Sequence, residues 1–129
     1  MREEAHMPMR AFKSAWFAKA AKKARIDDGE LCDAIQQVMQ GQADDLGGGV
    51  YKKRLNSNMH RSIVLARGSR YWVYEYLFAK KDQDNIDAAE LEAFRTLAKG
   101  YAALAEKQIK QMLQDKLLME ICHDNKTEI

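Results

Sequence analysis

The chain has 129 residues, 47% hydrophobic and 31% charged, which fits one soluble domain with its own core and leaves too little for two. No apolar run approaches the roughly 18–20 residues of a membrane span, and MREEAHMPMR at the start, with no apolar stretch behind its charges, is not read as a secretory signal. The net charge of +2 is unevenly held: residues 1–49 carry seven Lys/Arg against eight Asp/Glu, residues 50–81 eight against one, and residues 82–129 six against ten.

Residues 1–9 read as a flexible leader, and Arg10 to Lys13 as a short edge strand. SAWFAKAAKKAR is helical, with Ser14 as N-cap and Trp16, Phe17, Ala20, Ala21 and Ala24 in an apolar stripe. Asp27 and Asp28 open a second helix with Leu31, Ile35, Val38 and Met39 on one face; Gly41 ends it. DDLGGG is a turn-rich break. The period then changes from 3.6 to 2, and VYKKRL, RSIVLAR and RYWVYEYLF read as three strands, the last two joined by a tight Gly68-Ser69 turn. From Asp87 the pattern is helical again (Leu91, Phe94, Leu97, Ala98, Tyr101, Leu104), and KQIKQMLQDKLLMEI continues it. The fold class is α+β: a small antiparallel sheet covered on one face by an N-terminal αα-hairpin and a C-terminal helix. Residues 10–108 form the domain, and 109–129 are its helical extension.

The basic segment is where chemistry is expected. Residues two apart on a strand share a face, so Lys52 and Arg54 point together, and Tyr51, Lys53 and Leu55 the other way. A four-residue loop at 56–59 sets Arg54 opposite Arg61; a five-residue loop does not, and both remain open. Lys80 and Lys81 follow the last strand, on which Tyr74, Tyr76 and Phe78 are expected to share a face, either as core or as a base-stacking surface. Eight cations on neighbouring elements attract a polyanion; keeping an edge strand soluble accounts for one lysine, not eight. There is no Ser-His-Asp pattern, no phosphate-binding GxxxxGK[ST] loop, and no metal-ligand spacing among His6, His60 and His123. Cys32 and Cys122, far apart and outside any CxxC, are expected as two reduced thiols. Lys and Arg around a phosphate suit metal-free RNA cleavage, in which a 2′-hydroxyl attacks its own phosphodiester and cations stabilise the developing charge.

YKKRL, then Arg61 after a short loop, then YLFAKKDQDNIDAAELEAFRTLAK, resemble the RelE/HigB branch of the RelE/ParE toxin superfamily from about Phe12 to Ala105. LGGGVYKKR and the FAK, NI and Glu elements are the most specific parts. The resemblance implies a cytoplasmic toxin of a bacterial type II toxin–antitoxin module. Such a toxin cuts mRNA on the ribosome without metal or small-molecule cofactor, and a cognate antitoxin neutralises it. Carried over, Lys52 or Arg54 helps to deprotonate the 2′-hydroxyl, and Arg61 and Lys81, both placed at strand ends where truncation leaves little cavity, hold the scissile phosphate. Lys53, Tyr76 and Lys80 contact RNA. Two features depart from the pattern. DQDNIDAAE after Lys81 lacks the Tyr or His that some relatives use as acid or base, with His60 or Tyr76 as substitutes, and NSNMH replaces a Gly-rich basic loop. The rival readings are a ParE-like gyrase poison and an RNA-binding relative with weakened catalysis.

Overall fold

The computed structural model describes residues 10–68 and 71–122. The leader at 1–9, Ser69 of the expected turn and residues 123–129 lie outside the described residues. In chain order the elements are β1 (Arg10–Ser14), α1 (Ala15–Lys23), α2 (Asp28–Met39), β2 (Asp44–Gly47), β3 (Val50–Leu55), β4 (His60–Arg67), β5 (Tyr71–Ala79), α3 (Ala88–Ala102), α4 (Glu106–Gln114) and β6 (Leu118–Ile121). Short polar side chains start three of the helices. Ser14 Oγ accepts from Phe17 N at 3.1 Å, Asp27 accepts from Glu30 N at 2.9 Å, and Asp87 and Glu90 satisfy each other's backbone N–H in a capping box.

The class is α+β, as the element pattern implies. The six strands run in the order β2-β3-β4-β5-β1-β6, antiparallel except for the parallel β1–β5 pair. The helices, however, divide between the two faces instead of sharing one. Phe17, Leu31 and Ile35 pack with Val64, Trp72 and Tyr74 on one side; Ala98, Tyr101 and Ile109 pack with Val50, Ile63, Leu65 and Val73 on the other. The cause is visible in β4, where Ile63, Val64 and Leu65 are all fully buried. A strand apolar on successive residues needs cover on both faces. Each such side chain contributes roughly 1.5–3 kcal/mol, so neither face can be left wet.

Three segments differ from expectation. Residues 10–14 form an interior strand between β5 and β6, because Ala11 and Phe12, which point to opposite faces, are both buried. DDLGGG is not only a break: Asp44–Gly47 pairs with β3 before the glycines turn the chain. The C-terminal helix stops at Gln114, Lys116 takes a left-handed φ of 61°, and Leu118–Ile121 adds a strand beside β1. A four-residue segment such as LMEI is too short for its period to distinguish helix from strand. That last strand also overturns the reading of the cysteines as free thiols. It brings Cys122 beneath α2, where Cys32 and Cys122 are disulfide-bonded with Cα atoms 5.5 Å apart.

A bulge matters for the site. The β4–β5 register pairs Ile63 with Tyr76 and Val64 with Tyr74, so Glu75 is the extra residue. Tyr74 and Tyr76 therefore lie on opposite faces and do not share one. Tyr74 stacks on Phe17 and donates to Leu31 O at 2.7 Å, whereas Tyr76 packs with Phe78 and Phe94.

Candidate nucleic-acid interface

The β3–β4 connection is the four-residue loop 56–59, so Arg54 stands opposite Arg61 and Leu55 opposite His60. Asn56, Ser57 and Asn58 are left-handed, with φ of 55°, 53° and 72°. Such residues cost free energy and persist only where the surroundings hold them. Three contacts do so. Glu30 of α2 accepts from Asn56 N at 2.5 Å, Arg61 Nη1 donates to Asn58 O at 2.9 Å, and Lys80 N donates to Met59 O at 2.9 Å. The last bond ties the exit of β5 to the turn.

This convergence assembles most of the expected cations at one end of the sheet. Arg54, Lys80 and Lys81 are exposed. A cavity of about 610 Å³ opens between the turn and the β5 exit, lined by Ser57, Asn58, His60, Lys80, Lys81 and Asp84 among others. Lys52 lies deeper, its side chain 16% exposed. Its Nζ donates to Asn85 Oδ1 at 3.2 Å and sits 3.7 Å from Asp44. Arg61 departs from expectation. It is only 9% exposed and its guanidinium is turned onto the carbonyls of Asn58 and His60, because the turn it follows needs a donor.

Two cations stand apart. Lys53 points to the other face, where its Nζ donates to Gln42 O at 3.0 Å; burial, then the Arg54 charge, lowers its pKa. Arg67 is at the far end of the sheet, over the Tyr71 ring, donating to the carbonyls of Tyr101 and Leu104 where α3 ends. Its role is to cap a helix.

Two further residues border the site: His60, named from the sequence as a substitute acid or base, and Trp16, named as a core residue. Asn56 Nδ2 lies 3.1 Å from His60 Nδ1. An amide nitrogen only donates, so Nδ1 accepts, and in the neutral ring Nε2 carries the proton. Trp16, assigned to the core stripe, is 51% exposed and stacks on Tyr76, while its neighbour Phe17 is fully buried. Adjacent helical residues are about 100° apart, so with Phe17 and Ala21 at the centre of the buried face Trp16 falls on its edge; that spacing was the available signal.

Among the described residues no group of three His, Cys, Asp or Glu could hold a metal ion, and no helix is long and apolar enough to cross a membrane. Fold and site together define a small α+β protein with a cationic, partly aromatic sheet end suited to a polyanion. A family model described as "RelE toxin of RelE / RelB toxin-antitoxin system" matches residues 9–121. The chain belongs to this RelE toxin family and is a toxin of a toxin–antitoxin system, a class that pairs with an antitoxin protein. No match was found among curated proteins or among solved structures.

Proposed function

We propose that this toxin is a metal-independent endoribonuclease that cuts mRNA on the ribosome and so stops translation in the bacterial cytoplasm. The observation that carries the reading is the set of cations at one end of the sheet: Lys80, Lys81 and His60 line one cavity, and on the adjoining strand Arg54 stands opposite Arg61 with Lys52 on the same face. The general behaviour of RelE-family toxins as endoribonucleases supports it. In the reaction the 2′-oxygen attacks the neighbouring phosphorus and its proton passes to water. The bond to the 5′-oxygen breaks and that oxygen takes a proton from water, leaving a 2′,3′-cyclic phosphate and a 5′-hydroxyl. Arg54 and Lys81 stabilise the charge that builds on the phosphate, His60 Nε2 donates to it, and Lys52 adds positive potential from below. Lys80 contacts flanking RNA. Lys53, facing away, has no part at this edge. The cognate antitoxin silences the toxin by covering the same cations.

The experiment is mapping of mRNA 5′ ends after induction of the wild-type chain and of Arg54→Ala. New 5′-hydroxyl ends inside translated frames are expected with the wild type and not with the variant. Growth arrest without new ends would overturn the nuclease reading in favour of a protein-directed poison.

A further inference from the structure

Strand β5 outruns β1. Their register ends at Tyr74, after which β1 gives way to α1 and leaves the second half of β5 without it on that side. Trp16, in the first turn of α1, lies over this step. Its ring stacks on Tyr76 with centroids 5.0 Å apart and planes at 25°, while half its surface remains open. Beside the pair is a cavity of about 480 Å³ bordered by Lys23, His60, Lys81 and Asp82. His60 and Lys81 also line the cavity at the β3–β4 turn, so the two share a wall.

We propose that Trp16 and Tyr76 form a platform for one nucleobase of single-stranded RNA, adjacent to the cleaved linkage, with Lys23 and Lys81 reaching the phosphates on either side. This rests on the nuclease reading and adds a subsite to it. An open indole beside cations offers what one nucleotide of a single strand requires: a flat apolar surface for the base and positive charge for its backbone. A purely apolar occupant would leave Lys23 and Lys81 unmatched. Asp82 is the one carboxylate at the rim, and it disfavours a phosphate at that point, which directs the backbone past the two lysines.

The chain has two tryptophans, and Trp72 is 7% exposed, so quenching of fluorescence by a stacked base reports on Trp16. The probe is a short 2′-O-methyl RNA oligomer, which has no attacking hydroxyl, compared with an abasic oligomer of equal length and charge. The oligomer is expected to quench the wild type and the abasic one not to. Trp16→Ala is expected to weaken binding of the oligomer roughly 5- to 150-fold and leave abasic binding unchanged; Trp16→Phe is expected to retain most of the affinity. If Trp16→Ala binds the RNA as well as the wild type, the platform is wrong while the cationic site stands. If the wild type binds neither probe, the RNA reading fails with it. If the wild type sediments as a dimer and Trp16→Ala as a monomer, the surface joins two copies and the proposal is overturned.

Discussion

Arg54 faces Arg61 directly across the β3–β4 ladder, and only Arg54 is open to solvent. Like charges in opposed positions destabilise a sheet. The strain is relieved because Arg61 bends onto Asn58 O, and this divides the two roles. Arg54→Ala is expected to lower RNA cleavage about 100- to 1,000-fold, the cost of one donor to a developing oxyanion. Its stability should stay within about 0.5 kcal/mol of wild type, as for other exposed positions. Arg61→Ala is expected to cost about 2 kcal/mol of stability, since it removes a nearly buried charged donor from a left-handed turn. Denaturant unfolding of both proteins beside a cleavage assay separates them. An Arg61→Ala protein as stable as wild type would refute the anchoring role.

The alternation in VYKKRL was enough to place Lys52 and Arg54 on one face and Lys53 on the other, because period 2 is a local property. Whether Arg61 joined them depended on the length of one loop, and the structure chose the four-residue form through contacts from Glu30 and Lys80 that are distant in sequence. The bulge at Glu75 leaves no local mark, and plain alternation puts Tyr74 and Tyr76 on a common face. The pairing of Cys32 with Cys122 was hidden for a related reason: it follows from β6 docking on β1, and LLMEI carries no period that reveals a strand.

Within the run of glycines before β3, the middle one is explained by a close approach. Gly48 has φ of +67°, and a Cβ there would lie 2.7 Å from Arg95 Cγ. Arg95 crosses at this point to donate to Leu46 O at 2.6 Å and Gly47 O at 3.3 Å, which ties α3 to the β2–β3 turn. Cγ is too near the backbone of Arg95 to move aside freely. Gly48→Ala is therefore expected to cost about 1–3 kcal/mol, from the left-handed conformation and the displaced arginine together. Thermal denaturation checks this; an unchanged melting temperature would show that the turn can be rebuilt without Arg95.

The disulfide closes a sequence separation of 90 residues and fastens the end of β6 to α2. Cross-links of this kind stabilise by about 2–4 kcal/mol, chiefly through the unfolded chain. Dithiothreitol is expected to lower the denaturation midpoint of the wild type by that equivalent and to leave Cys122→Ser, already lowered, unmoved. A wild type indifferent to reductant would mean that the two cysteines do not constrain the folded chain.

The bulged Glu75 accepts from Tyr101 Oη at 3.1 Å. Burial raises its carboxyl pKa above the ordinary 4.5, against the smaller lowering effect of that hydrogen bond. The folded protein thus holds the proton more tightly than the unfolded chain. Between pH 4.5 and the raised folded value the native state binds more protons, so this group's contribution to stability falls as pH rises and is fully unfavourable above that window. Glu75→Gln keeps an acceptor for Tyr101 and removes the titration. The variant is expected to match wild type near pH 4 and to be the more stable of the two at pH 7. The measurement is unfolding free energy against pH for both proteins; a wild type that gains stability relative to Glu75→Gln on going from pH 4 to 7 would show that the charged carboxylate is favoured in the fold and that burial does not govern it.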